Sequence, residues 1–511
     1  MRGVDFAIFL HSHMPYVRHN GDWPCGEQWL LEAWAESYLP LWKTIEDITS
    51  GLLPGKLALT MTPVLAEQLR DEYLQERLIG YLRNRVSQAG EEVARLKGLG
   101  DETRAALAAR HEGRLNHTLR EFEHRFRGRM LDVLAEGMDS GRVEVLASAA
   151  THSHLPSLGR DACRVAQLEL GVESYRRHFQ RDPSGLWIPE CSYTPELDGI
   201  LDRFSPPLSY VILDFRAVES APEDAFTWEP RLLGDTSLVA LLRDVVAHDL
   251  VWTIEGIPSH SHYRDYMKRD HDGYGFHYWR ITSLQTPLDE KAAYDPGSAE
   301  EQAREDARKF VNDIERRRKY IEGLTGGSGP AVIMAGYDTE LLGHWWLEGP
   351  IWLREVCAIM ADGMELPRRV VEKTVSGPRP TLSPQLTSWC LKGDFSTWIN
   401  PRTSETWTRV HAAEERFLDL VNSNAPATAE RKRALAQAAR ELLLAESSDW
   451  TFMITRGKAG NYARERLGNH LNRFHQLERM LEGNHIDMEY LANLEDSDNL
   501  FPDLDLDYWR I

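Results

Sequence analysis

The chain has 511 residues, 42% hydrophobic and 27% charged, a balance ordinary for a globular protein and a length that predicts a large core with at least one added domain. Its 79 Asp and Glu against 59 Lys and Arg give a formal charge of -20, which works against nucleic acid and anionic membrane surfaces and favours a neutral ligand. Five scattered cysteines without a Cys-x-x-Cys pair, no signal-peptide pattern and no run long enough to span a bilayer point to reduced thiols in the cytoplasm.

Val4 to Leu10 reads as a first buried strand, ending in His11-Ser12-His13-Met14-Pro15-Tyr16. Such a His-x-His suits half of a metal site or a pair of neutral imidazoles bonded to a polar substrate. Trp23, Trp29 and Trp34 follow closely enough to line the same mouth. Lys56 to Thr62 gives a second strand, stopped by Pro63. Leu65 to Glu136 then takes a helical period, clearest at Leu115, Leu119, Phe122, Phe126, Met130 and Val133, and is expected as a helical insertion over 65–136. Val143 to Ala149 is the third strand, followed by Thr151-His152-Ser153-His154-Leu155-Pro156.

The fourth strand is the run Leu186-Trp187-Ile188, which stops at Pro189 and delivers Glu190. Ser209 to Leu213 ends on Asp214, Ser237 to Leu242 on Arg243-Asp244, and Ala331 to Ala335 near Asp338. Helical stretches such as Ala162 to Arg177 and Ser298 to Leu324 separate these strands. His11, His152, Glu190, Asp214, Arg243 and Asp338 therefore follow the same end of six of the seven strands, and in a parallel α/β barrel those ends share one cleft. Beyond them, Pro367 to Pro384 reads as a linker or wrapping loop. Three amphipathic helices are expected at Glu405 to Val421, Ala429 to Ala445 and Ala459 to Glu482, with Ser447-Ser448-Asp449-Trp450 joining the last two, and Asn493 to Asp507 as an extended wrap.

Two acids on one rim suit glycosidic-bond chemistry: an ionised carboxylate attacks the anomeric carbon, and a carboxyl of raised pKa protonates the bridging oxygen. Retention and inversion differ in the gap between the acids, which the sequence leaves open. The 16 tryptophans supply flat faces that can stack on sugars. Two other readings compete: a metal-dependent deacetylase or amidohydrolase built on His11, His13, His152 and His154, and a glucan-binding protein without turnover.

The segments His11 to Tyr16, Val145 to Leu155, Trp187-Ile188-Pro189-Glu190, Tyr337-Asp338-Thr339-Glu340-Leu341-Leu342-Gly343-His344-Trp345-Trp346 and Ser447 to Trp450 resemble the five successive motifs of glycoside hydrolase family 57. Their order, spacing and helical tail resemble its 1,4-α-glucan branching members. The resemblance implies an incomplete (β/α)7 barrel over 1–64 and 137–385, the helical insertion, and a C-terminal helical domain over 386–511 that completes the cleft. It implies retention, with Glu190 as nucleophile and Asp338 as acid/base, an α-glucan such as amylose or glycogen as partner, and neither metal nor cofactor. His11, His13, His152, Asp214, Arg243, Trp252, Trp389, Trp398 and Asp449 are the implied glucan contacts, with Trp29 as a further platform. The chain departs from the branching pattern at three points, of which the shortened loop stands against transfer but not against bond cleavage and leaves an amylase-type hydrolase as the alternative. The segment between strands five and six is short, and the expected Gly-Tyr-Pro-Gly-Asp reads Gly256-Ile257-Pro258-Ser259-His260; likewise Ser-Trp-Gly becomes Ser388-Trp389-Cys390.

Overall fold

The structure, a computed structural model, describes residues 3–205, 207–218, 226–271, 275–327, 329–374, 380–423, 428–483 and 485–510. Its strands are β1 (Val4–Ser12), β2 (Leu57–Met61), β3 (Val143–Ser148), β4 (Gly185–Trp187), β5 (Tyr210–Leu213), β6 (Arg231–Leu233), β7 (Val239–Leu242), β8 (Ala331–Asp338) and β9 (Thr381–Leu382). They form one sheet in the order β8-β1-β2-β3-β4-β5-β7-β6-β9. Every pairing from β8 to β7 is parallel; β6 runs antiparallel to β7, and β9 pairs parallel with β6. The sheet curls until β7 meets β8: Arg243 bridges Met334, and the Asp244 N–H donates to the Met334 carbonyl at 2.8 Å. The seven expected strands are therefore present, and β6 and β9 are additions that the sequence pattern did not show.

Strand alternation sorts the side chains between two cores. Ala7, Phe9, Ala58, Leu146, Trp187, Ile212, Leu241, Val332 and Met334 pack together inside the curl. Phe6, Ile8, Leu10, Leu59, Val145, Val211 and Ile333 belong instead to the larger core that continues among the helices. Continuous apolar runs on the central strands follow from burial on both faces.

Between β2 and β3 the chain runs through Pro63–Arg70, Glu72–Gly98, Glu102–Glu121 and Met130–Asp139. The two long helices start on aspartate caps: Asp71 accepts from the Leu74 N–H and Asp101 from the Arg104 N–H, each at 2.9 Å. Asp270 receives Arg95 and Arg104 at 2.5 and 2.9 Å, tying this arm to the segment after β7.

Several expectations need correction. Pro367 to Pro384 is not a loop throughout, because Pro367–Thr374 is helical and buries Val370 and Val371 on the inner core; residues 375–379 lie outside the described ones. The third tail helix starts at Tyr462, and Ser447 caps a separate helix, Ser448–Arg456. Asn493 to Asp507 is not an extended wrap: Met488–Ser497 is helical, Leu506–Trp509 is a short turn, and Trp509 is buried. Here apolar anchors such as Leu491 and Trp509 outweigh the acidic composition. Part of the short segment between strands five and six, 219–225, lies outside the described residues. Among the described residues no helix is long and apolar enough to cross a membrane.

Candidate active site

Continuing the inward phase of each strand by two residues reaches polar groups: His11 after Phe9, Thr60 after Ala58, Ser148 after Leu146, Asp214 after Ile212, Arg243 after Leu241, and Asp338 two places after Gly336. The register sets His11 beside both Thr60 and Asp338. A Cβ on Gly336 would stand 3.1 Å from Arg243 Nε, so glycine leaves room for that guanidinium.

Glu190 enters from a strand of only three residues. Pro189 ends β4, and the turn Pro189–Cys191 holds Glu190 at φ 59 and Cys191 at φ 52. Two consecutive left-handed non-glycine residues cost on the order of 1–3 kcal/mol each and persist only where surroundings fix them. Here the Glu190 carbonyl accepts from the Trp389 N–H at 3.0 Å. The Trp389 indole Nε1–H donates to Glu190 Oε2 at 2.9 Å, and the Ser448 hydroxyl donates to Oε1 at 3.1 Å.

Behind Ser448 runs a line of imidazoles. His152 Nδ1 lies 3.0 Å from Ser448 Oγ, His152 Nε2 lies 3.0 Å from His11 Nε2, and His11 Nδ1 lies 2.7 Å from Thr60 Oγ1. Burial, then the charge of His13, holds both rings well below the usual imidazole range, so both are neutral. His13 differs: burial would lower it, but the Asp449 carboxylate, then Glu190 and Glu340, outweigh burial and raise it. Its Nε2 lies 3.1 Å from Asp449 Oδ2, its Nδ1 lies 3.1 Å from Thr62 Oγ1, and its ring stacks on His152 at 3.8 Å.

Asp338 forms no side-chain hydrogen bond among the described residues. Burial, then the neighbouring carboxylates of Glu340 and Glu190, push it well above the usual carboxylate range, against the pull of Arg243. Glu190 is raised as well, by burial first and by Asp449, while Trp389, His13 and Ser448 draw it back. Glu340 is a third acid, in the turn after Asp338; it accepts from the Tyr38 hydroxyl and, at 3.2 Å, from the His13 N–H.

The groups fall into two layers. Glu190, Asp338, His13, Asp449 and Trp389 keep some exposed surface, whereas His11, His152, Asp214, Arg243 and Ser448 are buried. Asp214 accepts from Arg243 Nη1 at 2.8 Å and from Arg216 at 3.1 Å, and the Arg243 guanidinium lies 5.2 Å from the Trp389 ring centre. This lower layer positions the upper one.

Other expected residues lie apart from this group or behind it. Trp398 is fully buried and stacked on His154 at 4.6 Å, so its ring presents no open face. Trp34 is buried against Phe122. Trp29 donates to the Pro24 carbonyl and meets Tyr462 edge-on, and Trp252 packs on the outer core at the end of Val245–Trp252. Sequence reasoning passed over Thr60, Ser448 and Glu340. The inward phase of β2 was the available signal for Thr60, and the spacing Asp338-x-Glu340 the one for the third acid.

Replacing Trp389 by Phe keeps an aromatic face and removes the indole donor to Glu190. The expected result is a tenfold to roughly hundredfold loss of kcat, as for loss of a hydrogen bond to a charged group. It should come with an acid limb of the pH profile displaced upward, measured as initial rate against pH, because Glu190 loses a donor that draws its pKa down.

The curled parallel sheet, with carboxylates and imidazoles gathered at the carboxyl ends of its strands, defines an α/β enzyme of the carbohydrate-active kind. More particularly, the chain belongs to glycosyl hydrolase family 57, whose profile matches residues 7–355. A second profile, described as the C-terminal region of 1,4-alpha-glucan branching enzyme, matches 409–509. The chain is 35% identical to 1,4-alpha-glucan branching enzyme TK1436 of Thermococcus kodakarensis, over 98% of this chain and 78% of that protein. The crystal structure of a branching enzyme of this family from Pyrococcus horikoshii superposes with a TM-score of 0.91 at 32% identity, covering 99% of this chain and 97% of the other. The α-amylase AmyC of Thermotoga maritima superposes with a TM-score of 0.84 at 28% identity, covering 100% and 99%.

Proposed function

We propose that the protein is a retaining 1,4-α-glucan branching enzyme acting on amylose or glycogen-like chains in the cytoplasm, within glycogen synthesis. The observation that carries this reading is likeness to branching enzymes along almost the whole chain, including the tail profile over 409–509. We read the seven parallel strands as an incomplete (β/α)7 barrel over 1–64 and 137–385, with a helical insertion at 65–136. A C-terminal helical domain over 386–511 brings Trp389, Ser448 and Asp449 to the carboxylates.

In the first step a Glu190 oxygen attacks the anomeric carbon while Asp338 gives its proton to the departing 4-oxygen, leaving a glycosyl ester on Glu190. In the second, the Asp338 carboxylate takes the proton from an acceptor's 6-hydroxyl, and that oxygen displaces Glu190 to form the α-1,6 link. The contrast between the acids supports this division. Asp338 has no donor among the described residues and stands beside two other acids, which raises its proton affinity; Glu190 receives two donors and lies near His13, which draws its pKa down. The exposed faces around Trp389, His13 and Asp449 would receive the sugar, with Asp214, Arg243, His11 and His152 holding them in place.

A hydrolase of the amylase type, using the same acids, is the second reading. The likeness to AmyC and the altered Gly256 to His260 segment favour it. Incubation with amylose separates the two. Branching gives α-1,6 points, counted after enzymatic debranching, with few new reducing ends; a rise in reducing ends without branch points would establish the hydrolase.

A further inference from the structure

The path that ends on Glu190 Oε1 has a direction. An ionised Glu190 only accepts, so Ser448 must donate to it, and the remaining contact of Ser448 Oγ, at 3.0 Å, is then filled by His152 Nδ1–H. With Nδ1 protonated and the ring neutral, His152 Nε2 carries a lone pair. His11 Nε2–H therefore donates to it, and His11 Nδ1 accepts from the Thr60 hydroxyl. Reversing every bond is possible only when Glu190 is protonated and donates to Ser448.

Ser448 is completely buried and opens the helix Ser448–Arg456, and its own N–H donates to the His152 carbonyl at 3.1 Å. His152 sits at φ 55, in the left-handed region, which holds its ring between His11 and Ser448. The charged or titratable groups facing Glu190 from other elements are His13 just after β1, His152 after β3 with its Nδ1 3.9 Å from Oε1, Asp449 from Ser448–Arg456 and Asp338 from β8. Of the groups around Glu190, Ser448 is the one whose donation is tied to a chain of neutral partners.

We propose that Ser448 is a positioning residue for the nucleophile, and that the His152 Nδ1–H fixes its hydroxyl as a donor, so that the Thr60-His11-His152-Ser448 chain favours the ionised form of Glu190. The inference rests on Glu190 being the nucleophile. It gives a contribution to the chemistry from a tail residue that makes no demand on sugar contact.

The test is the acid limb of kcat/KM, which reports ionisation of the nucleophile in the free enzyme. Ser448→Ala is expected to move that limb to higher pH, so that activity near pH 5 falls about tenfold more than activity near pH 7.5, the size set by loss of one hydrogen bond to a charged group. His152→Asn places an amide N–H where Nδ1–H stood, in a backbone conformation that asparagine tolerates, and should leave the limb in place whatever its effect on rate. His152→Gln places its amide at the Nε2 end and should move the limb as Ser448→Ala does. This pair decides the matter should Ser448→Ala not fold. An unmoved limb in Ser448→Ala, or equal limbs in the Asn and Gln variants, overturns the proposal. Trapping with a 5-fluoroglucosyl fluoride and locating the labelled residue tests the underlying reading separately: a label elsewhere than Glu190 refutes that reading whatever the limbs do.

Discussion

Glu190→Gln is expected to lower turnover on amylose by at least about 10⁴-fold and to abolish the trapped glycosyl-enzyme, because the amide oxygen cannot form the ester intermediate. The fold should survive. The amide can keep the Trp389 bond through its oxygen and turn its NH₂ toward Ser448, whose hydroxyl can accept instead of donate. Stability adds an independent check. Burial raises the Glu190 pKa in the folded state, so the native protein holds a proton that the unfolded chain releases as pH rises above the ordinary glutamate value. Below that value the group contributes nothing; above the folded value the full destabilisation is present. The variant has no such group. Its melting temperature should therefore exceed that of the parent at neutral pH, with the difference shrinking toward zero near about pH 4. A variant less stable than the parent across that whole range would show that the Glu190 side chain stabilises the fold by more than its raised pKa costs.

Asp338→Asn should separate the two half-reactions. Loss of a general acid costs on the order of 10²–10⁴-fold on a glucan, whose leaving oxygen needs a proton. Fluoride leaves without one, so the first step on an α-glucosyl fluoride should fall by less than about tenfold. Azide should then restore turnover, giving a glycosyl azide of retained configuration, since an anion needs no base to deprotonate it. The alkaline limb of the parent's profile, set by loss of the Asp338 proton, should disappear on the fluoride substrate. Equal losses on both substrates, without azide rescue, would remove Asp338 from the acid/base role. The raised proton affinity of Asp338 has a structural origin: burial comes first, then Glu340 and Glu190, with Arg243 opposing. Arg243 is already bonded to Asp214, His248 and the Gly336 carbonyl, which limits how far it can turn toward Asp338.

The histidines illustrate how a motif is resolved by its surroundings. His11, His13 and His152 have their ring nitrogens directed at Thr60, Thr62, Asp449, Ser448 and one another. Two other groups bring three potential ligands together among the described residues, Cys163 with Glu414 and Glu446, and Glu441 with His470 and Asp498. Each has protein partners. Glu446 receives Gln167 at 2.7 Å, Glu414 receives the Gly159 N–H at 2.9 Å, and His470 lies 2.8 Å from Glu441. These groups bind the tail helices to the sheet side of the molecule and to each other.

The sequence by itself determined the strands that matter, because apolar runs of strand length stop at residues that cannot continue them. Pro189 ends β4, and the alternation Phe9, His11 and Met334, Gly336, Asp338 sets which side chains face inward before any coordinate is known. Five motifs in order also carried the family. What only the tertiary structure decided was the division of labour among residues that look equivalent in one dimension. Asp214 and Asp338 both follow strands, yet one is neutralised by two arginines and the other stands beside two acids. Trp389 and Trp398 are nine positions apart, yet one reaches Glu190 and the other lies flat on His154. Ser448 reads as one residue of a four-residue connector and becomes a buried donor to a residue 258 positions away. Local pattern fixes where a side chain points, because backbone geometry repeats every two or 3.6 residues; what it meets there depends on long-range packing, which no local period encodes.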